Sequence, residues 1–252
     1  MMKSFEGKRV LVTGGSRGIG RATVQAFRAA GAQVAVNGRT ADSTAEGIAA
    51  MDDDGVIAAP GDIGTVAGCE AAVGAALDAF GGLDVLVNSA GVAKARSVET
   101  CDEAFWDEVI DINLKGTFFC IRAAAAALRE SRGSIVNVAS TSGLTGDANL
   151  STYCASKGGV VLLTKALSAE FAPDVRINCV CPGWVDTDMA KVYINRSDDP
   201  AAARAEIDAD SPMGRIARPD EIAASILYLA SKAAGIVTGV VLPIDGGSMA
   251  SG

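Results

Sequence analysis

Short, wholly apolar runs alternate along this chain with longer stretches in which apolar residues recur every three or four positions. Runs at residues 8–13, 33–37, 56–59, 83–88, 134–139, 175–181 and 240–245 have the length of strands and little polar alternation, which predicts strands buried on both faces. Between them the helical period takes over. Ile19, Thr23, Ala26, Phe27 and Ala30 share a face that Gly31 closes, and further helices are predicted over 40–51, 66–80, 106–130, 151–171 and 219–229. Residues 100–103, Thr-Cys-Asp-Glu, read as a capping box ahead of the fourth of these helices. The alternation predicts an α/β fold, a doubly wound parallel sheet of about seven strands with helices on both faces. No repeat, linker or low-complexity tract interrupts it, so a single domain is expected over 1–252. Only residues 184–213 lose the pattern: Trp184, Met189, Tyr193 and Met213 stand among Asp186, Asp188, Asp198, Asp199 and Pro200.

The apolar fraction of 49% supplies a substantial core, and the net charge of −8 speaks against nucleic acid and against an anionic membrane surface as partners. No apolar run approaches the roughly 18 residues of a membrane span. Residues 1–9 lead toward the first strand without the apolar core of a signal peptide, so a cytoplasmic protein is expected. The chain has no histidine, and its six cysteines (Cys69, Cys101, Cys120, Cys154, Cys179, Cys181) form no C-x-x-C pair. Buried reduced thiols are expected, with no metal site, and a Ser-His-Asp triad is excluded. Proton transfer has to use Tyr, Lys, Asp, Glu or Cys.

The stretch 151–159, Ser-Thr-Tyr-Cys-Ala-Ser-Lys-Gly-Gly, offers such chemistry. On a helix, Tyr153 and Lys157 stand four apart on one face. A free phenol, with a pKa near 10, is a poor acid or base at neutral pH. A fixed ammonium beside it favours the phenolate, lowers that pKa, and makes the tyrosine a usable proton carrier. The spacing by itself also fits a helix that merely buries a tyrosine. Proton exchange with an alcohol or carbonyl oxygen is half of a hydride transfer; the other half needs a nicotinamide. A place for one is predicted where the first strand turns into the first helix through Gly14, Gly18 and Gly20, since backbone N–H groups and a helix dipole there attract a pyrophosphate. Dinucleotide-binding chains that prefer NAD place a carboxylate about 20 residues further on. Here the corresponding residues 37–40 are Asn-Gly-Arg-Thr. Arg39, with Arg17 in the glycine turn, matches a 2′-phosphate bidentately, so NADP(H) is favoured, with NAD(H) as the alternative.

Seven motifs stand in order along the chain: residues 13–20 (Thr-Gly-Gly-Ser-Arg-Gly-Ile-Gly), Asp62-Ile63, residues 88–91 (Asn-Ser-Ala-Gly), Asn113, Ser140, Tyr153-x-x-x-Lys157, and residues 182–187 (Pro-Gly-Trp-Val-Asp-Thr). With these the sequence resembles the short-chain dehydrogenase/reductase family over essentially its whole length, and its 3-oxoacyl-carrier-protein reductase-like members in particular. Ser89 departs from the family's usual second Asn; with Asn88 and Gly91 kept, the change is expected to be harmless. The resemblance implies a Rossmann-type domain and an enzyme that interconverts a ketone or aldehyde and an alcohol. It implies that Tyr153 is the general acid or base, that Lys157 lowers its pKa and holds the nicotinamide ribose, and that Ser140 binds the substrate oxygen. Asn113 would hold a water linking Lys157 to solvent; read without the family, it is a helix-interior residue bonding backbone. The cofactor would contact Gly14, Ser16, Arg17, Gly18, Ile19 and Gly20 of the turn, Arg39, and Asp62 and Ile63 at the adenine. It would also meet Asn88, Ala90 and Gly91, then Pro182, Gly183, Val185 and Thr187 at the carboxamide. Family members commonly form tetramers, so a homotetramer is implied.

Substrate specificity is expected in the irregular segment 184–213 acting as a lid, with Leu144, Asn149 and residues 92–95 as the facing wall. The aromatic and methionine side chains there suggest an apolar pocket, and fit equally a lid packing on its own domain. Segment 186–210 holds seven acids against Lys191, Arg196 and Arg204, a charge that would repel an acidic carrier protein. A small ketone, sugar or other alcohol is at least as compatible. A dinucleotide-binding redox sensor and an epimerase remain alternatives.

Overall fold

The computed structural model describes residues 4–250; the first three residues of the predicted N-terminal lead and residues 251–252 of the predicted domain lie outside the described residues. Seven parallel strands form a single sheet in the order β3-β2-β1-β4-β5-β6-β7. They are β1 (Arg9–Thr13), β2 (Gln33–Val36), β3 (Val56–Ala58), β4 (Val85–Asn88), β5 (Ser134–Val138), β6 (Arg176–Pro182) and β7 (Val241–Ile244). The helices are α1 (Gly18–Ala29), α2 (Ala41–Ala49), α3 (Val66–Phe80), α4 (Glu103–Ile110), α5 (Gly116–Ser131), α6 (Ser151–Phe171), α7 (Asp188–Ile194), α8 (Pro200–Ala209) and α9 (Pro219–Ala230).

Strand residues alternate between two cores. Val10 and Val12 enter the layer under α1 and α9, with Phe27 and Ile226, while Leu11 enters the layer under α3, α5 and α6, with Ala72, Ile121 and Phe171. Two covered faces explain why the strands read as unbroken apolar runs. Phe27 is fully buried and meets Phe5 edge to face at 4.8 Å; truncating such a side chain to alanine typically costs about 3–5 kcal/mol. The strand order reverses between β1 and β4, which opens a crevice at their carboxyl ends.

Four expectations are corrected. The fourth predicted helix starts at Glu103, and its cap is Asp102, whose carboxylate accepts from Phe105 N at 2.8 Å. Thr100 turns its hydroxyl to Ser97 instead, so 100–103 is not a capping box. The same helix is interrupted by a π-turn, Asp111–Lys115, that carries Asn113 and joins α4 to α5. The irregular segment contains α7 and α8, the latter opened by Pro200 behind a capping Asp199. Four of the six free cysteines are buried as expected, whereas Cys101 and Cys154 reach the surface. Among the described residues no helix is long and apolar enough to cross a membrane.

Candidate active site

The motifs gather in the crevice. Gly14 (φ 62°) and Gly18 (φ 53°) hold the turn after β1 in a left-handed conformation that strains other residues. A Cβ on Gly14 would come within 2.7 Å of Ala90 Cα, and one on Gly18 within 3.3 Å of Thr187 Cγ2. The glycine turn, the loop after β4 and the segment after β6 thus converge from three parts of the chain. Side chains of Thr40, Thr65 and Asp102 cap α2, α3 and α4, but α1 has no side-chain cap and no acid in its first turn. Its N-terminus is open to an anion, and the residues fit the pyrophosphate of a dinucleotide. Ser16 and Ile19 lie half-buried beside it, and the Arg21 guanidinium holds the turn by donating to the Ser16 carbonyl at 2.6 and 2.9 Å.

At the end of β2, Asn37 is an internal tie. Its Oδ1 accepts from Gly14 N at 3.3 Å, and its Nδ2 donates to the carbonyls of Gly38, Ala59 and Gly61 at 3.0–3.1 Å. Arg39 and Arg17 are both exposed, and neither forms an ion pair among the described residues. Asp62 is exposed and accepts from Gly64 N at 3.0 Å. Ile63 is only 6% exposed and packs in the core, which leaves its backbone rather than its side chain to face a ligand.

Ser140 follows β5 and accepts from Ser142 N at 3.2 Å, capping a short turn, Thr141–Gly143. That turn rests on α6, where a Cβ on Gly143 would lie 2.7 Å from the carbonyl carbon of Lys157. Tyr153 occupies the first turn of α6 and is half-buried; Lys157, one turn on, is 5% exposed. Lys157 Nζ donates to Val138 O at 2.9 Å and lies 5.9 Å from the centre of the Tyr153 ring. A Cβ on Gly91 would sit 3.3 Å from both Lys157 Nζ and Asn113 Oδ1, so the loop after β4 is wedged between them.

The electrostatics differ from the sequence expectation. Burial pushes the Tyr153 phenol above its ordinary value; hydrogen bonding to Ser140 pulls it back, while the charges of Cys154, Asp147 and Cys181 add to the rise. The ammonium of Lys157 is bound to the sheet, and burial lowers its own pKa to about 8, against the weaker upward pull of Cys179 and Cys181. In the cofactor-free structure the group that pulls the phenol down is the Ser140 hydroxyl.

Asn113 is committed to protein. Its Oδ1 accepts from Val92 N at 2.8 Å, and its Nδ2 donates to Val92 O at 2.9 Å and Ser156 Oγ at 3.0 Å. The π-turn inserts a residue into the helical ladder and aims this side chain at the 91–92 loop. Asn88 turns toward β5: its Nδ2 donates to Asn137 Oδ1 at 2.9 Å, and its buried Oδ1 has no partner among the described residues. Asn137 in turn donates to Thr164 Oγ1 at 2.9 Å, clasping α6 to β5.

Thr13, Asn137 and Thr164 were not foreseen as site residues. The Thr13 hydroxyl accepts from Ser89 N and Ala90 N at 3.1 and 3.2 Å and so shapes the loop after β4. For Thr13 and Asn137 the available signal was a polar residue ending or interrupting an apolar strand. Beyond β6, Pro182 ends the strand, Gly183 N donates to Ile244 O at 3.1 Å, Val185 is buried, and Thr187 Oγ1 donates to Val185 O at 3.3 Å. Paired main-chain bonds, Asp186 N to Ala217 O and Ala217 N to Trp184 O, both 2.9 Å, tie the start of the 184–213 segment to Ala217. The Trp184 and Tyr193 rings meet at a tilt of 52° with centroids 5.0 Å apart, but Met189, Val192, Tyr193 and Met213 are largely exposed, so the apolar side chains line an open wall.

Residues 14–249 match the family described as enoyl-(acyl carrier protein) reductase. The chain is similar to L-fucose dehydrogenase of Mus musculus, 38% identical over 249 residues that cover 97% of this chain and 89% of that protein. It is similar to 3-oxoacyl-[acyl-carrier-protein] reductase of Thermotoga maritima, 35% identical over 251 residues covering 96% and 98%. The crystal structure of levodione reductase superposes with a TM-score of 0.93 at 34% identity, covering 98% of this chain and all of that one. A seven-stranded parallel sheet with a glycine turn at its crevice, matched over nearly every residue by enzymes that act on alcohols and ketones, places the chain in the short-chain dehydrogenase/reductase family.

Proposed function

We propose that this protein is an NADP(H)-dependent oxidoreductase that interconverts a ketone or aldehyde and the corresponding alcohol, with Tyr153 as general acid and base. The observation that carries this reading is the convergence of Ser140, Tyr153, Lys157 and Gly91 at the crevice, across from the uncapped end of α1. The cofactor, when bound, supplies or accepts the hydride. Gly14, Ser16, Arg17, Gly18, Ile19 and Gly20 hold its phosphates, and Asp62, Ile63, Asn88, Ala90, Gly91, Pro182, Gly183, Val185 and Thr187 flank the rest of it.

Ser140 fixes the substrate oxygen and steadies charge that develops on it. Tyr153 gives that oxygen a proton in reduction and removes one in oxidation. The phenol is protonated in the cofactor-free protein, and hydrogen bonding to Ser140 offsets part of the rise that burial imposes on it. Lys157 spends one of its N–H donors on Val138 O and keeps two for a ribose hydroxyl or a water that resupplies the proton. Asn113 positions this lysine's surroundings by clamping Val92.

For NADP(H), the support is Arg17 and Arg39, exposed and without ion pairs among the described residues, and a β2 end that offers Asn37, already spent internally, instead of a carboxylate. A homotetramer fits the 67% exposure of Leu162 on α6 and the 40% exposure of Phe118 on α5; light scattering that gave a monomer would remove it. Turnover of a panel of ketones and alcohols with each cofactor tests the whole reading. NADPH should be preferred, and Arg39→Ala should weaken NADPH roughly tenfold or more while leaving NADH nearly unchanged. Equal losses for both cofactors would refute the phosphate assignment.

A further inference from the structure

Strand β6 carries chemistry that hydride transfer does not use. Cys179 and Cys181 stand two apart on it, so their side chains leave the same face, toward α6. Their Sγ atoms are 4.0 Å apart, and both residues are 0% exposed. Val180, between them, pairs in register with Val138 and accepts from Ala139 N at 2.9 Å. Lys157 Nζ donates to the carbonyl of that same Val138, so the thiol pair lies on the strand next to the lysine's anchor. One residue beyond Cys181 the strand ends at Pro182, where the crevice opens. The other side chains packed around the two sulfurs are apolar: Ala139, Val160, Val161, Leu114 and Val241. Thr164, which also faces Cys179, has its hydroxyl committed to Asn137 Nδ2 and Val160 O.

The absence of histidine and of a C-x-x-C pair speaks against zinc, which takes four ligands, but a C-x-C pair on a strand suits an ion that takes two. With metal–sulfur bonds of about 2.3 Å, a linear S–metal–S unit spans about 4.6 Å, so the sulfurs need to part by only about 0.6 Å. We propose that Cys179 and Cys181 form a buried two-coordinate site for a soft monovalent cation of the copper(I) class, and that filling it switches the enzyme off. Binding forms two metal–sulfur bonds, releases both thiol protons to water and changes no oxidation state. The resulting unit carries one negative charge in an apolar shell, and the Lys157 ammonium is the cation at hand to offset it. Drawn to that charge, the lysine no longer serves a ribose hydroxyl or a proton-carrying water. The switch rests on the Tyr153–Lys157 reading; the site does not.

Silver(I), a monovalent ion that prefers two sulfurs and leaves thiols unoxidised, is the probe. Silver nitrate is added to the reduced protein in chloride-free buffer, and excess N-acetylcysteine then strips silver from lone thiols such as Cys101 and Cys154. A monothiol competes poorly with two sulfurs held together, so about one silver per chain should remain, counted by mass spectrometry. Uptake should be slow, because the buried sulfurs have to be opened to water, and turnover should fall in proportion to the silver retained. Silver-edge X-ray absorption of the unaltered protein should show two sulfur ligands and neither nitrogen nor oxygen. Cys179→Ala and Cys181→Ala should each retain roughly tenfold less silver or lower still, whereas Cys69→Ala, which breaks the contact between Cys69 and Cys120, should retain as much as the unaltered protein. No retained silver, a third ligand, or silver lost with Cys69 instead would overturn the site. Silver held by Cys179 and Cys181 with turnover unchanged would overturn the switch alone. Absence of turnover by the metal-free protein with every substrate and either cofactor would overturn the reductase reading and leave the site to the binding measurements.

Discussion

Lys157 lies 5.9 Å from the centre of the Tyr153 ring and gives its ammonium to the carbonyl of Val138. The two residues share a helix face, as their spacing requires, yet the charge is anchored to the sheet below. Lys157 is buried and Tyr153 half-buried, and desolvation raises the pKa of the phenol and lowers that of the amine to about 8. The cofactor-free protein thus keeps the phenol protonated, with the Lys157 ammonium donating to the Val138 carbonyl.

The lysine has a consequence for stability. Its folded pKa of about 8 lies below the ordinary 10.5, so the unfolded chain binds more protons between those values. Stability therefore rises with pH through that window, and the burial penalty, on the order of 3 kcal/mol, is fully present below it. Urea unfolding of the unaltered protein and Lys157→Met at a series of pH values checks this. The unaltered protein should gain on the variant from pH about 8 upward, and parallel profiles would show that the amine is not depressed.

The tyrosine can be titrated directly. Ultraviolet difference spectra of the cofactor-free protein against Tyr153→Phe should show this phenol ionising above its ordinary value of 10.0. Ionisation near neutral pH would restore the simpler picture of an ammonium-acidified phenol.

Thr164 predicts a measurable clasp. It is fully buried and accepts from Asn137 Nδ2 at 2.9 Å, joining the helix that carries Tyr153 to the central strand. Thr164→Val keeps the shape and leaves that amide donor unpaired, so a loss of about 1–3 kcal/mol is expected in urea unfolding. No loss would mean that another acceptor, such as water, takes the donor.

Much of this was legible because it is periodic. Seven apolar runs gave seven strands, and the spacing of glycines between β1 and α1 located the crevice. What escaped depends on contacts between distant segments. The π-turn at Asn113 leaves no trace in an apolar pattern, because it changes the ladder by one residue and not the face that is buried. Asp102 prevailed over Thr100 as a cap because the chain needed its turn at Ser97, a choice made by tertiary packing. The direction of the Tyr153 shift followed from burial, which spacing does not reveal. Helices α7 and α8 were hidden by their shortness and mixed polarity.

Tyr153→Phe, assayed for both turnover and NADPH affinity, tests the central claim most directly. Turnover of the best substrate should fall by about 10²–10⁴-fold, the worth of a positioned acid or base, with NADPH affinity nearly unchanged. Turnover within a few-fold of the unaltered protein would contradict the account, since the crevice would then be moving its proton through some other group.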